Sequence, residues 1–506
     1  MKALLMHRDS DFDLQRRLPW NEPVLTQDLE LGTLLYAMAG DDKFLYDVAR
    51  VALLSGLQND VDTILRRQEI VKDCLKNPAV VRELFDLTGE AIEATRRQWW
   101  DLSSHYPDSV LYSSMELLGS LSVILRKLRG IAEETGDRFE SAAFTALFAM
   151  LRMELGDEYL ASIQNYLTEL RFRAGVLLSA ELGESNEGVN YELRQPPVRE
   201  PNWLRRMLAK EPPGYTFQID PRDEAGAQIV AGMRHRGISR VTVTLARSAD
   251  HVLNFFKLLR TELAFYIGCL NLHAKLAAKG EPMCFPTPDS GVERKLRFRG
   301  LYDVCLSLHM EPTLVGNDAN ADGKNLAIIT GANQGGKSSF LRSVGLAQMM
   351  MQCGMFVGAA AFETELCPAL FTHYKRREDA TMKSGKLDEE LARMSEIVDH
   401  IVPNSILLFN ESFAATNERE GSEIATQIVL ALQEKRIKVF FVTHLHEFAH
   451  SFFDRKIGDA IFLRAERMAD GTRTFKLVEG VPLETSYGED LYRQIFSVNE
   501  KFQNSQ

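Results

Sequence analysis

Residues 325–351 read NLAIITGANQGGKSSFLRSVGLAQMMM, and this stretch decides the fold of the C-terminal part of the chain. The apolar run from Leu326 to Thr330 predicts a buried strand, and the apolar periodicity after Ser338 predicts a helix. Between them, residues 331–338 fit G-x-x-x-x-G-K-S/T, in which backbone N–H groups and a lysine hold phosphates and a hydroxyl binds Mg²⁺. A chance glycine-rich turn is disfavoured because the strand and helix lie where this mechanism needs them. We therefore predict a phosphate-binding loop.

A second strand, from Ile406 to Phe409, leads directly into Asn410 and Glu411. In phosphate-loop enzymes, a carboxylate at the end of such a strand orients the Mg²⁺ waters, and the next acid polarises the attacking water. We therefore predict that Glu411 is the general base. Asn410 is predicted to assist Ser338 in binding Mg²⁺, through a neutral oxygen where aspartate would supply a charged one. The alternative, a surface acid that caps a buried strand, is disfavoured by the loop upstream.

A third strand, from Val439 to Val442, precedes Thr443 and His444. A histidine at a strand end can contact the γ-phosphate or the attacking water, and can thereby report which nucleotide is bound. His446 and His450 extend an H-x-H-x-x-x-H pattern that is compatible with zinc, but no cysteine or second ligand cluster accompanies it. We therefore predict that His444 senses the nucleotide.

The spacing of apolar residues divides the rest of the chain into predicted helices and strands. Residues 28 to about 183 space apolar residues by three and four, and breaks at Gly40, Pro78, Pro107 and Gly136 predict about five or six helices. After them, the segments GVLLSAEL, VNYELRQ, YTFQI and RVTVTLA predict strands, the first two flanking a turn.

A long helix is predicted from about Asp250 to Ala278. From about residue 300, short apolar strands alternate with helices, which predicts an α/β domain with a largely parallel sheet. The fold class is therefore α plus α/β, in several domains.

The composition is that of a globular protein with reduced thiols. The chain has 506 residues, of which 45% are hydrophobic, and its six cysteines form no C-x-x-C pair. No apolar stretch of signal-peptide or membrane-spanning length occurs, so we expect a cytoplasmic protein without a membrane span. The net charge of -11 argues against a histone-like polyanion binder.

The middle of the chain is positively charged, in contrast to the negative net charge of the whole chain. Between residues 194 and 260, 12 basic residues stand against six acidic ones. Such a segment suits sequence-independent contact with nucleic-acid phosphates, with a steep dependence on salt. The alternative is a solvated basic face near an acidic partner domain.

Six motifs in the C-terminal 200 residues resemble, in order, those of the MutS family of DNA mismatch repair proteins. The loop GANQGGKSS resembles the family's GPNMGGKS-T/S. Segments starting at residues 60 and 262 are similar to the family's helical core and lever helix. The other five motifs are TLVGND (313–318), MFVGAAAFE (355–363), ALFTHYKRREDA (369–380), FVTHLHEF (441–448) and VEGVPLETSYGEDL (478–491), which includes Tyr487 and Gly488.

The resemblance implies a dimer with composite ATP sites, in which a segment of one subunit reaches the nucleotide of the other. Here that segment resembles residues 384–401, with Ser384 as the trans-acting hydroxyl and Glu390 at the position of a family acid. An acidic, solvated helix face is the alternative. ATP and Mg²⁺ are the implied cofactors, Glu411 and His444 the catalytic residues, and Ser338 and Asn410 the metal ligands. The nucleotide-binding residues are Gly331, Asn333, Gln334, Gly335, Gly336, Lys337, Ser338, Ser339 and Ser384.

The resemblance also sets the expected domains. They are a helical core and lever (1–174), a clamp-like insertion with β-strands (175–248), a returning lever helix with a connector (249–299) and an ABC-type ATPase domain (300–506). Because the helical core starts by about residue 28, we expect no N-terminal mismatch-recognition domain. Contact with double-stranded DNA then falls to the clamp, through Arg194, Arg199, Arg205, Arg206, Arg234, Arg236 and Arg240.

The predicted function is an ATP-dependent switch of a homodimeric clamp on mismatched, branched or distorted duplex DNA. Hydrolysis is expected to be slow, because Asn410 removes one charge from the Mg²⁺ shell. The alternative is an ATP-binding scaffold that acts on a protein or a nucleoprotein such as a ribosome. A transport ATPase is disfavoured, because neither a membrane span nor an LSGGQ signature is visible.

Overall fold

The computed structural model describes residues 1–96, 106–173, 175–195, 214–290, 294–311, 313–376, 385–456, 458–468 and 471–483. The chain divides into two compact units. The first comprises residues 1–3, 79–139 and 144–260, and the second comprises residues 4–78, 140–143 and 261–506.

The first unit is mainly helical. The longest helix that lies wholly in this unit begins at Pro107 and is followed by Gly136. Proline has no backbone N–H, but the first residue of a helix has no partner for that group, so no hydrogen bond of the helix is lost. Leu121, Leu125 and Leu128 are buried at spacings of four and three, which is the face predicted from the sequence. The helices that lie wholly or mostly in this unit are α5 (Pro78–Arg96), α6 (Pro107–Thr135), α7 (Ala142–Glu154) and α8 (Asp157–Glu169).

A two-stranded sheet follows these helices. Strand β1 (Leu178–Leu182) pairs antiparallel with β2 (Gly188–Leu193), with Leu178 opposite Leu193. This confirms the predicted pair of strands around the turn.

The predicted strand at residues 240–246 is wrong, because helix α9 spans Glu224–Ala278 and contains this segment. Ile238, Thr242 and Ala249 are buried, at spacings of four and seven, which is a helical face. The Thr242 hydroxyl donates to the Ile238 carbonyl at 3.0 Å, so its polar group is satisfied within the helix. Burial on this face overrides the β-propensity of the valines and threonines.

The predicted strand at residues 215–219 is also wrong. This segment is described without a strand, and Tyr215 and Phe217 are exposed. No sheet edge in the described part of the chain pairs with it, so its alternating pattern lacks the partner that a strand needs.

The second unit begins with four helices, α1 (Glu22–Asp28), α2 (Leu31–Ala39), α3 (Lys43–Ser55) and α4 (Val61–Lys76). Asp42 and Asp60 cap α3 and α4, because their carboxylates accept hydrogen bonds from backbone N–H groups of the first turn.

The α/β part of this unit contains a four-stranded and a six-stranded sheet. The four-stranded sheet has the order β3-β7-β4-β5, and the six-stranded sheet has the order β12-β11-β6-β10-β9-β8. The strands are β3 (Thr287–Asp289), β4 (Leu296–Leu301), β5 (Asn317–Asn320), β6 (Leu326–Gly331), β7 (Ala361–Glu365), β8 (Leu370–Tyr374), β9 (Ile406–Asn410), β10 (Lys438–Val442), β11 (Ala460–Arg467) and β12 (Arg473–Glu479). The helices are α10 (Val304–His309), α11 (Lys337–Cys353), α12 (Lys386–His400), α13 (Glu418–Glu434) and α14 (His446–Asp454).

The six-stranded sheet positions the site. Strands β8, β9, β10, β6 and β11 are parallel, and only the edge strand β12 is antiparallel among the described strands of this sheet. The carboxyl ends of β6, β9 and β10 therefore meet at one edge, which is where open α/β sheets bind ligands. This confirms the predicted α plus α/β fold class.

The sheet is held by a buried aromatic core. Phe409 and Phe441 stack at 4.7 Å between ring centroids, and Phe448 packs on Phe441 at 4.8 Å. On the other face, nearly every residue of α11 is buried, and Gly345 leaves room for Leu29 and Leu408, which a Cβ would meet at 2.9 Å. Among the described helices, none has the length and apolarity needed to cross a membrane.

Candidate active site

The predicted phosphate loop connects β6 to α11. Gly331 and Gly336 have φ angles of 111° and 87°, which side chains other than glycine rarely adopt. A Cβ on Gly331 would also lie 2.8 Å from the backbone nitrogen of Ala465 in β11. Both glycines are therefore required by the loop, and Gly336 is the residue that precedes the first turn of α11.

Lys337 is buried at the start of α11. Its Nζ donates hydrogen bonds to the carbonyls of Gly331 and Ala332, at 2.8 and 2.9 Å. Burial lowers the pKa of Lys337 to about 8, although the carboxylate of Glu411 acts in the opposite direction. The ammonium is thus held inside the loop by two backbone carbonyls.

Two side-chain oxygens that could bind a metal ion meet at this edge of the sheet. The Ser338 hydroxyl, in the first turn of α11, donates to Oδ1 of Asn410, the last residue of β9, at 3.1 Å. Mg²⁺ prefers oxygen ligands and completes its octahedron with water and phosphate oxygens. The pair therefore fits a Mg²⁺ ion, with two oxygens supplied by the protein.

Glu411 and His444 form a pair next to these donors. Nε2 of His444 lies 3.1 Å from Oε1 of Glu411. The hydrogen bond from His444 lowers the pKa of Glu411 despite its partial burial, and the charges of His444, Lys375 and Lys337 act in the same direction. Glu411 is therefore ionised at neutral pH and able to accept a proton.

The turn that carries Glu411 is strained and held in place. Glu411 and Phe413 have φ angles of 55° and 62°, which are unfavourable for residues other than glycine. The carboxylate of Glu390 accepts the Phe413 N–H at 2.7 Å, and Glu390 itself is only 4% exposed. Glu390 is therefore not part of a solvated acidic face, whereas Asp388, Glu396 and Asp399 of the same helix are exposed.

His373 supports the same turn from β8. Its Nδ1 lies 2.7 Å from the Ser412 hydroxyl, and its Nε2 lies 2.9 Å from the Glu390 carbonyl. Burial lowers the pKa of His373 to about 4, so the ring is neutral and Nε2–H donates to that carbonyl. The motif ALFTHYKRREDA contains His373, but the sequence assigned it no role, since it occurs within a buried strand.

A cavity of about 420 Å³ opens in front of the loop. It is lined by residues 333–339, Glu411 and a mainly apolar wall that includes Tyr302, Leu314, Val315 and Phe475. A polar end next to an apolar wall suits a phosphorylated ligand with a flat ring. The TLVGND motif was the only sequence signal for this wall, and nothing in the sequence pointed to Phe475.

The structure does not describe every predicted site residue. Ser384, Arg199, Arg205 and Arg206 lie outside the described residues. Within the described ranges, no group of three His, Cys, Asp or Glu side chains is placed to hold a metal ion, which includes the His446 and His450 region.

The remaining predicted arginines lie in the first unit, with partners. Arg194 and Arg240 face Glu192 at 2.8 and 3.9 Å, and Arg234 bonds to Asp108 at 3.1 Å. Arg236 lies over the Tyr191 ring, 5.0 Å from its centroid. These exposed ion pairs are weak, so they leave the arginines available to other anions.

Comparison with known families agrees with the motifs. Residues 59–279 match the MutS2 N-terminal domain, and residues 327–497 match MutS domain V. Together the two matches cover well over half of the chain. The chain belongs to the MutS family.

Several relatives of this chain are named as MutS proteins. The DNA mismatch repair protein MutS of Syntrophobacter fumaroxidans is 25% identical over 79% of this chain and 44% of its own length. That of Desulfitobacterium hafniense is 32% identical over 29% of this chain and 18% of its own length. The mouse MutS protein homolog 4 is 26% identical over 38% of this chain and 21% of its own length. The chain thus spans less than half the length of these relatives.

Proposed function

We propose that this MutS-family protein binds and hydrolyses ATP at the edge of the six-stranded sheet. The observation that carries the proposal is the convergence of three strand ends, which brings the Ser338–Asn410 pair and the Glu411–His444 pair together. Lys337, Ser338 and Glu411 line the cavity next to them. These groups match the roles that phosphoryl transfer to water uses, namely phosphate binding, metal binding and activation of the attacking water.

Different residues of the site bind the phosphates, activate water and hold the metal ion. Backbone N–H groups of residues 333–337 and the Lys337 ammonium bind the phosphates, because these donors surround the N-terminus of α11. The ionised Glu411 accepts a proton from the attacking water, and His444 orients Glu411 and contacts the γ-phosphate. Ser338 and Asn410 would hold Mg²⁺, which neutralises phosphate charge when it is bound with ATP.

We further infer that the nucleotide state switches a homodimeric clamp on distorted, branched or mismatched duplex DNA. Support comes from the relatives whose names are DNA mismatch repair protein MutS, and from the basic segment between residues 194 and 260. In the first unit, Arg194, Arg234, Arg236 and Arg240 lie on or near the two-stranded sheet and the first part of α9. Their chemistry suits DNA phosphates and not a specific base sequence.

A salt-titrated binding series tests the DNA proposal. We expect tight binding to a four-way junction, with an affinity that falls about a hundredfold between about 50 and about 200 mM salt if four arginines contact phosphates. Changing these four arginines to alanine should flatten the salt dependence, whereas changing the exposed Arg126 and Lys127 of α6 should not. Fluorescence anisotropy on single-stranded, perfect, mismatched and junction DNA, with and without ATP, measures this.

Equal and negligible binding to all four DNAs would contradict the DNA proposal. With ATP binding intact, that outcome would favour a scaffold that acts on a protein or nucleoprotein partner.

Replacing Asn410 with aspartate should raise ATP turnover by about tenfold or more. Asn410 offers a neutral oxygen to Mg²⁺, and a carboxylate at the same position would add a full charge to the ion's shell. The measurement is phosphate release at saturating ATP as a function of Mg²⁺ concentration.

Asn410→Ala is the matched control. It removes the oxygen altogether, so it should raise the Mg²⁺ concentration needed for half-maximal turnover. An unchanged turnover in Asn410→Asp would show that hydrolysis is not limited by the missing charge.

A further inference from the structure

We propose that the guanidinium of Arg473 is an additional binding group for the phosphate chain of the nucleotide, an inference that rests on the proposed ATPase function. None of the sequence motifs includes this residue. It is the first residue of β12, the antiparallel edge strand of the six-stranded sheet.

The β11–β12 hairpin places Arg473 beside the phosphate loop. Nη1 of Arg473 donates to the side-chain oxygen of Gln334 at 3.2 Å, and Gln334 is the fourth residue of the loop. The neighbouring strand β11 packs against the same loop, since a Cβ on Gly335 would lie 2.7 Å from the Cβ of Ala465. Phe475, two residues after Arg473, lines the cavity.

The remaining donors of Arg473 are unused. Nε and Nη2 are shielded from solvent, and neither has a hydrogen-bond partner in the part of the chain that the structure describes. A buried guanidinium N–H without an acceptor is costly, because it loses water and gains nothing in return. Phosphate oxygens are the acceptors that an arginine fork fits best.

Two positive charges next to the loop also favour the binding of an anion. Lys337 and Arg473 both contact the loop, since Nζ of Lys337 bonds to the carbonyls of Gly331 and Ala332 and Nη1 of Arg473 bonds to Gln334. The Glu411 carboxylate is paired with His444 and cannot neutralise both cations. A polyphosphate at the loop would satisfy the two cations together.

This geometry also gives Arg473 a role in shaping the loop. Gln334 has a φ angle of 58°, a left-handed conformation that costs energy for a residue with a side chain. The hydrogen bond from Arg473 helps to hold that conformation. Binding of the phosphates by Nε and Nη2 would leave Nη1 on Gln334, so one side chain would join the loop to the ligand.

Nucleotide titration of Arg473→Ala tests the inference. We expect the affinities for ATP and ADP to fall about tenfold to a hundredfold, which is the size of a lost charge-assisted hydrogen bond. Arg473→Lys, which keeps the charge without the fork, should recover part of the loss. The matched control is Arg467→Ala, because Arg467 lies directly opposite Arg473 in the hairpin.

Displacement of a fluorescent ATP analogue by ATP, ADP and adenosine gives the affinities, and thermal melting verifies the fold of each variant. A contact with phosphate leaves the affinity for adenosine unchanged. The inference is overturned if Arg473→Ala binds ATP and ADP as the wild type does, if adenosine loses affinity equally, or if Arg467→Ala shows the same loss.

Failure of the proposed function would look different. In that case the wild type itself would bind no ATP. If the wild type binds ATP, Lys337→Ala does not, and Arg473→Ala binds normally, only the inference about Arg473 fails.

Discussion

Lys337→Ala is expected to abolish measurable ATP binding, with a loss of affinity of about a hundredfold or more. The ammonium is buried at the N-terminus of α11, where it donates to two carbonyls of the loop. Removing it eliminates a full charge and more than one charge-assisted hydrogen bond, each worth about 1.5–3 kcal/mol. Isothermal titration with ATP in the presence of Mg²⁺ measures the effect.

Lys324→Ala is the control for this variant. Lys324 lies just before β6, at the opposite end of the strand that leads into the loop, and its Nζ bonds to the Gly458 carbonyl at 2.6 Å. It should leave ATP affinity unchanged. An unaltered nucleotide affinity in Lys337→Ala, with the fold intact by circular dichroism, would refute the assignment of the site.

Glu411→Gln is expected to reduce ATP turnover by about a hundredfold to ten-thousandfold while ATP affinity stays close to that of the wild type. Glutamine keeps an oxygen for the hydrogen bond with His444, but it cannot accept a proton from water. Because the pKa of Glu411 is lowered, the ionised base is fully present at neutral pH and is lost only as the pH falls into the acidic range. Single-turnover phosphate release and equilibrium titration separate the two quantities.

The turn around Glu411 offers a matched control. Glu390→Gln keeps an oxygen acceptor for the Phe413 N–H and should retain most of the turnover, since the strained turn stays supported. A loss of ATP affinity in Glu411→Gln as large as the loss of turnover would contradict a role confined to hydrolysis, because a general base acts on the transition state and not on binding.

The phosphate loop and its flanking elements could be predicted because their signals are local. Gly331, Gly336 and Lys337 lie within a few residues of one another, and the strand and helix on either side have their own periodicity. Asn410, Glu411 and His444 each follow a predicted strand, and they could be predicted as members of the same site, since parallel strands place their carboxyl ends at one edge.

The strand predicted at residues 240–246 shows where local signals fail. Valine and threonine favour a strand when they are considered alone, but Ile238 and Thr242 are buried on one helical face of α9. Which face of a segment is covered depends on residues far away in the sequence. The same limit applies to Phe475 and Arg473, which come from a hairpin that no motif connects to the loop.

The sequence by itself determined the phosphate loop, the parallel α/β architecture and the family, because each depends on spacing along the chain or on contiguous motifs. Only the tertiary structure decided how the Glu411 turn is held, through Glu390 and His373, and which cation of β12 lies beside the loop. Glu390 was an acid on a helix whose burial could not be known, and its carboxylate accepts a backbone N–H from another segment. The physical reason is that burial and hydrogen-bond partners between distant segments exist only once the sheet has assembled and excluded water from these groups.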